Sequence, residues 1–499
     1  MNLKAVAWIF GSVLLVLAAF ILVPAAVGAS YGEVHEAIAC LWSAGIAATC
    51  GGALVFLFRG SLSKDGRVAY HRREGIAAVG LSWIAIGILG ALPFLFAGAI
   101  SSPVDAIFES VSGFTTTGST ILTSERIDSL SHTIAFWRSF THWLGGVGIV
   151  MVFVLFMPTG ARSLFRAEVT GYEREAQSAR VRDSAKHLFV VYLVLTLACW
   201  GSLRALGLDS LDAAIHTFGT VATGGLSSHG SSVAYFQSWP VEAVIVAFMF
   251  LSGVNFSLYQ SVYGKRMRRW IPTFWSSTEF RVYLGIGVTA ILLIATSLWL
   301  SARPGNPDGT DYRSFALALR DSSFSVVTMQ TCSGFATADF DRWPEFCRVL
   351  LMAVAFIGGC AGSTAGGLKV IRFVILFKAV RVQVAKVMRP RVVHRIRLDG
   401  QSLEASVLPD VGSYFAMWCL FAALSTVFIA SFGIDPISAS TSVLATLNNA
   451  GPGLGLVGPT ANFAAFPALA KAWLTVCMLI GRLEFYAIFS LLMPTFWQQ

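Results

Sequence analysis

Ten apolar runs, each long enough to cross a bilayer, constrain this chain more than any other feature. They lie near 5–29, 36–58, 74–98, 133–157, 184–206, 240–262, 280–302, 346–377, 407–432 and 470–493. A helix needs about 20 predominantly apolar residues to span the hydrocarbon layer. In lipid a chain must satisfy its own backbone hydrogen bonds, so runs of this length are expected to be helical. Composition agrees: 55% of the 499 residues are hydrophobic and 13% charged, against roughly 25% charged in a soluble domain. The first run is too long for a signal peptide, and no small-residue cleavage site precedes a soluble domain. The expected fold is an all-α polytopic membrane protein.

Charge supplies the orientation. The loops after alternate runs, with the segment 369–397, hold 25 of the 36 Lys and Arg residues, among them Arg67, Arg166, Lys265 and Arg381. The intervening loops are neutral or acidic; 302–345 carries four Arg against five Asp and one Glu. By the positive-inside rule both termini are expected in the cytoplasm. The net charge of +9 then reads as topology, and a nucleic-acid surface is set aside. The eight cysteines show no CxxC spacing and no partner histidines, and most fall inside apolar runs. They read as small hydrophobes, not as a metal site or a disulfide framework.

Four of the intervening loops repeat one pattern. "FESVSGFTTTGST" (108–120), "AIHTFGTVATGGL" (214–226), "FSVVTMQTCSGFA" (324–336) and "TSVLATLNNAGPG" (441–453) each reach a glycine ten residues after their first position. Those glycines, Gly118, Gly224, Gly334 and Gly451, are 106, 110 and 117 residues apart. Such a spacing marks an internal repeat. The stretches 104–115 and 436–447 are too short to cross, so they read as re-entrant half-helices. Asp105, Asp212 and Asp435 stand at or near helix starts, as caps or as charges that complement the dipole. The opposite ends would then point toward the membrane centre, where partial negative charge favours a cation. Irregular backbone at that depth requires a watery cavity or surrounding protein. Four such loops around one axis make a ring of carbonyl oxygens, able to replace the hydration shell of a monovalent cation. Glycine lets consecutive carbonyls face one axis by reaching backbone conformations closed to side chains. One polar loop with a glycine means little; four in register point to a filter.

The eighth apolar run is interrupted. "FIGGCAGSTAGGLKVIRFVILF" (356–377) holds small residues at its centre and then Lys369 and Arg372. Each helical glycine costs about 1 kcal/mol relative to alanine. One reading is a glycine face for close helix packing, but ten consecutive poor helix formers exceed what packing needs. Lying about 25 residues after Gly334, the stretch is expected halfway down the helix that follows, beneath the filter, where a loop could block the pore or swing aside. It is no Walker motif, since its lysine lacks the preceding Gly and following Ser/Thr. Arg482, 31 residues after Gly451, is the other anomaly. An arginine at the bilayer centre costs about 3 kcal/mol or more and normally faces a cavity or a partner. It reads either as a charge at the pore constriction or as half of a structural ion pair. Glu484 points elsewhere on an ideal helix. Glu109, Arg138 and His142 are expected to tie short helices to their neighbours, and His216 to be a satisfied core histidine.

"WRSFTHWLGGVGI" (137–149), "FLSGVNFSLY" (250–259), "GGCAGSTAGGLKVIR" (358–372) and "LIGRLEFY" (479–486) resemble the second-helix signatures of the Trk/Ktr/HKT cation-transporter superfamily. "LFRAEVTG" (164–171) and the C-terminal "MPTFWQ" resemble its bacterial TrkH/TrkG branch, as do the two additional N-terminal helices. The resemblance covers nearly the whole chain from residue 74. It implies four M1–P–M2 repeats with re-entrant pore helices around a pseudo-fourfold pore: 74–183, 184–278, 279–400 with an intramembrane gate loop at 358–368, and 401–499, preceded by two extra helices in 1–73. By resemblance the filter residues are Thr116, Thr117 and Gly118; Ala222, Thr223 and Gly224; Cys332, Ser333 and Gly334; Asn449, Ala450 and Gly451. The gate residues are Gly358, Gly359, Gly362, Ser363, Thr364, Gly366, Gly367, Lys369 and Arg482. The implied activity is potassium uptake across the bacterial inner membrane, with K+ at the filter. In HKT relatives a serine in place of the first-repeat glycine goes with sodium preference, and here all four glycines are present. Implied partners are a cytosolic nucleotide-binding RCK subunit (TrkA-like), which would grip the basic inner face, and a second copy of the chain as a homodimer.

The competing class is a secondary symporter coupling K+ to protons through buried carboxylates. Acidic residues within the apolar runs are scarce, and the repeats run parallel rather than inverted. A polytopic enzyme is more distant still, because no catalytic His/carboxylate cluster is present.

Overall fold

The computed structural model describes residues 1–59, 72–156, 177–262, 270–301, 312, 314–388, 396–403 and 407–497. The motif at 164–171 and many of the basic loop residues, Lys64, Arg67, Arg166, Lys265, Arg266, Arg389 and Arg391 among them, lie outside the described residues.

Leu3–Tyr31 and Val34–Phe58 form an antiparallel helical hairpin that turns at Gly32, whose φ is 75°. The two helices approach closely where glycines face each other. A Cβ on Gly11 would sit 2.8 Å from the Gly51 carbonyl oxygen, and one on Gly51 2.7 Å from that of Gly11. Small residues at a contact let apolar helices gain dispersion energy that lipid cannot supply. The turn is tied to the rest of the molecule by Glu33, whose carboxylate accepts the N–H groups of His132 and Thr133, each at 2.8 Å.

The other helices repeat one plan four times: a long lead helix, a short helix that stops midway, and a trailing helix. In the first repeat these are Arg72–Leu89, continued by Leu92–Phe96, then Pro103–Phe114 and His132–Phe156. The second has Gln177–Ala205, Ser210–Val221, and a trailing pair Trp239–Ser252 and Phe256–Val262. The third has Thr278–Ser301, Phe315–Gln330, and Glu345–Ile357 followed by Val370–Met388. The fourth has Val407–Ala430, Pro436–Leu447, and Ala468–Leu483 followed by Phe485–Leu492. A hairpin of two-residue strands, Arg397–Leu398 with Gln401–Ser402, is the only sheet among the described residues.

Three of the four short helices start at side-chain caps. Asp209 and Asp435 are N-caps that accept backbone N–H groups, and Ser102 caps the first short helix with Asp105 in its first turn. Asp212 lies in the first turn of its helix and is not the cap. Each cap satisfies donors that a helix start leaves open.

Six described helices are long and apolar enough to cross a membrane, or eight if each of two bent pairs is one span. The bends correct the expectation of continuous trailing helices at 240–262 and 470–493. The second repeat bends by 86° between Ser252 and Phe256, and the fourth by 116° around Glu484, whose φ is 63°. Arg482 is therefore not mid-helix. It occupies the last turn of Ala468–Leu483, where the helix presents its carbonyl end and a cation is favoured.

Candidate functional site

The short helices all end in the same four-residue turn. Its first position, Thr115, Ala222, Thr331 or Asn448, caps the helix. The second, Thr116, Thr223, Cys332 or Asn449, is left-handed, with φ of 54°, 54°, 55° and 52°. Non-glycine residues seldom adopt this conformation, and a β-branched threonine least of all, so two threonines here are held under strain. At the third position the N–H of Thr117, Gly224, Ser333 or Ala450 bonds the helix carbonyl five residues back, at 2.8 to 2.9 Å. The fourth is glycine each time: Gly118, Gly225, Gly334 and Gly451, with φ between 77° and 85°.

This pattern corrects the register in the second repeat. Gly225, not Gly224, is the counterpart of Gly118, and the matching triplet is Thr223, Gly224, Gly225. Ala222 is the helix cap, one position too early.

The four turns close on one another. A Cβ on Gly118 would lie 2.1 Å from the carbonyl oxygen of Gly224, and one on Gly225 1.9 Å from that of Ser333. For Gly334 and Ala450 the distance is 3.1 Å, and for Gly451 and Thr117 it is 3.0 Å. Each glycine thus abuts the third-position carbonyl of the next repeat, in the order one to two, two to three, three to four and four to one. Side chains brace the ring. Asn449 Nδ2 donates to Thr117 Oγ1 at 2.8 Å and to the Met478 carbonyl at 3.0 Å, and Ser119 Oγ donates to the Gly451 carbonyl at 2.9 Å.

Buried charges hold the seams between repeats. Arg138, 2% exposed, donates from Nε to Glu109 at 2.6 Å and from its terminal nitrogen to the Ser227 carbonyl at 2.9 Å. His142 Nδ1 lies 2.7 Å from the Gly113 carbonyl, while its Nε2 accepts the Leu226 N–H at 3.3 Å, which makes Nδ1 the protonated nitrogen. Arg320 clamps Glu242 between the second and third repeats, and Lys471 pairs with Asp105 between the fourth and first. Asp341 accepts from Arg348 and from the Gly455 N–H, each at 3.0 Å, between the third and fourth. His216 is bonded at both ring nitrogens, to the Asp212 carbonyl at 2.8 Å and to Ser227 Oγ at 2.9 Å, as a core histidine should be.

Directly against the ends of the short helices runs the segment 358–369. It leaves the helix at Gly358 (φ 77°) and turns again at Gly362 (66°), Gly367 (82°) and Lys369 (77°). The Gly367 N–H donates to the Asn448 carbonyl at 2.9 Å, and Thr364 Oγ1 to the Val221 carbonyl at 3.0 Å. A Cβ on Gly366 would come 2.0 Å from the Asn448 carbonyl oxygen. Within the segment, the Gly359 N–H reaches the Gly366 carbonyl at 3.4 Å, Ser363 Oγ the Cys360 carbonyl at 2.6 Å, and Lys369 Nζ the Ala365 carbonyl. Arg482, 6% exposed, donates to the Thr364 carbonyl at 3.0 Å and to the Gly145 carbonyl of the first repeat at 3.4 Å. Glu484 is occupied elsewhere, by Arg372 at 2.6 Å.

Sequence reasoning missed Gly225, Asn448 and Glu279. The last is a buried carboxylate on the third lead helix that accepts the Ala361 N–H at 2.6 Å. No group of three or more His, Cys, Asp or Glu able to hold a metal ion occurs among the described residues. All eight cysteines are free, six of them buried.

Apolar spanning helices, four parallel repeats and a polar ring at their convergence define a polytopic transport protein. The family is equally plain. A sequence model of the TrkH family, described as cation transport protein, matches residues 43–495, and the chain belongs to that family. It is 39% identical over 399 residues to the Trk system potassium uptake protein TrkH of Escherichia coli K12, covering 79% of this chain and 80% of that one. It is 32% identical over 401 residues to the Trk system potassium uptake protein TrkG of the same strain, covering 79% of each. Its structure matches the crystal structure of the potassium transporter TrkH from Vibrio parahaemolyticus with a TM-score of 0.88 and 33% identity, over 100% of both chains. The protein is a membrane transporter of this family and not an enzyme.

Proposed function

We propose that this protein takes up potassium across the bacterial inner membrane through a channel-like pore, with both termini cytoplasmic. The filter comprises Thr116 to Gly118, Thr223 to Gly225, Cys332 to Gly334 and Asn449 to Gly451, whose carbonyl oxygens replace the ion's water. The observation that carries this reading is the closed ring in which each repeat's glycine abuts the next repeat's carbonyl. Its relatives' names, potassium uptake proteins, agree with it. Short-helix ends directed at the ring add partial negative charge that favours a cation. Three carboxylates in the helical body, Glu109, Glu242 and Glu484, are held by Arg138, Arg320 and Arg372, and a fourth, Glu279, by the Ala361 N–H and Asn255; such fixed carboxylates favour a pore over proton coupling.

The segment 358–368 with Lys369 and Arg482 serves as the gate, lodged beneath the filter and held by Arg482 through a carbonyl. A TrkA-like cytosolic subunit that binds nucleotide regulates it from the basic face, and the protein works as a homodimer. Expression in a bacterium lacking potassium uptake tests the activity: growth is expected at low K+. Absence of growth, with the protein present in the membrane, overturns the reading.

A further inference from the structure

The bend in the second trailing helix and the segment 358–369 are hydrogen-bonded to each other along their length. The Cys360 N–H donates to the Gly253 carbonyl at 3.0 Å, and the Phe256 N–H to the Gly362 carbonyl at 3.1 Å. Thr364 Oγ1 also reaches the Ser252 carbonyl at 3.2 Å. Residues 252–256 of the second repeat and 360–364 of the third therefore exchange backbone partners in both directions, much as two short strands do. A helix that bends by 86° leaves N–H and C=O groups without helical partners, and each break supplies what the other lacks.

Glu279 closes this unit from the side. Its Oε1 accepts the Ala361 N–H at 2.6 Å and its Oε2 accepts Asn255 Nδ2 at 3.4 Å. Asn255 is fixed in turn, because its Oδ1 accepts the Ser257 N–H at 2.9 Å. One carboxylate, 6% exposed, thus joins three elements: the start of the third lead helix, the break in the second trailing helix and the segment 358–369. A carboxylate has two acceptor oxygens, so one side chain can hold groups from two different elements at once.

We propose that residues 253–262 of the second repeat move with the segment 358–369 as one gate, and that Glu279 is the positioning residue that clamps the two together in the closed arrangement. This rests on reading 358–369 as the gate. It adds that the obstruction cannot swing aside while Glu279 and the Gly253 and Gly362 carbonyls hold it to the second repeat. Motion of Phe256–Val262, which continues in sequence into the basic stretch Lys265, Arg266, Arg268 and Arg269, then reaches the gate through these bonds. The second repeat becomes a route by which a cytosolic event opens a pore blocked by the third.

The test is rubidium uptake into proteoliposomes holding the membrane protein alone. It is measured for Glu279→Gln, Asn255→Ala, deletion of 360–366, and each substitution combined with the deletion, with detergent melting temperatures recorded throughout. Glu279→Gln keeps one acceptor oxygen and the side-chain volume, while Asn255→Ala breaks the same clamp from the other side. Each single substitution is expected to raise flux about fivefold or more, the low end of coupling between linked sites, at unchanged melting temperature. In the deletion background, which lacks Ala361, neither should add anything. Unchanged flux in both single variants beside a raised flux in the deletion overturns the clamp and spares the gate. So does an increase that persists undiminished in the deletion, or joint loss of flux and melting temperature, which marks a purely structural carboxylate. A deletion that leaves flux unchanged overturns the gate reading, and the clamp with it.

Discussion

The layer of the filter turns and the layer just beneath it obey opposite rules. In the first, four repeats from different stretches of sequence adopt one conformation, down to a left-handed residue at the second position and a glycine at the fourth. In the second, no two trailing helices agree. The first runs unbroken over His132–Phe156, the second bends by 86°, the third opens into the segment 358–369, and the fourth bends by 116°. An ion on an axis is best surrounded by equivalent ligands, so the coordinating layer gains from symmetry. A plug must be one object able to move, and four equivalent plugs would crowd the same space. On the proposed reading, the repeats keep one conformation in the layer that would coordinate the ion and differ in the layer that would gate it.

The largest effect is expected when the symmetric layer is spoiled at one repeat. Gly225→Ala places a Cβ 1.9 Å from the Ser333 carbonyl oxygen at a φ of 77°. Overpacking of about 1–3 kcal/mol is roughly a 5- to 160-fold loss of rate when it falls on the conducting geometry. Rubidium uptake should fall accordingly, whereas Ala222→Ser, at the helix cap, should leave uptake near normal. The reverse order would restore the register read from sequence.

The asymmetric layer should respond in the other direction. Deleting 360–366 removes the obstruction and is expected to raise K+ flux and its independence from the cytosolic subunit. Lost flux in a folded protein would mean that the segment is packing. Arg482→Ala should raise flux less, because it removes one holding bond, to Thr364, and leaves the glycine turns intact. Its melting temperature should stay normal. A fall of both would instead fit the loss of a buried pair, which costs about 3–5 kcal/mol. The smallest expected effect is in selectivity. Gly118→Ser, whose Cβ would lie 2.1 Å from the Gly224 carbonyl oxygen at a φ of 82°, should lower flux much as Gly225→Ala does, and the flux that remains should show a raised Na+/K+ permeability ratio, measured as a reversal potential. An unchanged ratio would remove Gly118 from the filter.

Much of the symmetric layer is legible in the sequence, since a glycine at a left-handed position leaves a mark at regular spacing. The one error, in the second repeat, comes from "ATGG": two adjacent glycines fit the spacing equally well, and what separates them is the left-handed backbone of Thr223 (φ 54°) and Gly225 (φ 77°). The segment 358–369 is legible for a similar reason, a run of small residues inside an apolar stretch. The other two breaks are not. Gly253–Asn255 and Glu484 stand among apolar residues, and hydropathy measures where a chain prefers to be, not the direction in which it runs. Arg482 accordingly looks stranded in mid-helix, when it stands in the last turn of its helix and binds carbonyls from two other repeats. The bond from Ala361 to Glu279 spans 82 residues, and no local pattern announces it.

The central claim is that four backbone turns together hold a dehydrated monovalent cation. Anomalous diffraction from crystals grown in thallium, an ion of potassium-like size, addresses it directly. Density is expected on the axis enclosed by Thr117, Gly224, Ser333 and Ala450 and their following glycines, at similar distances from all four repeats. Density confined to one repeat, or lying elsewhere with the ring empty, would contradict it.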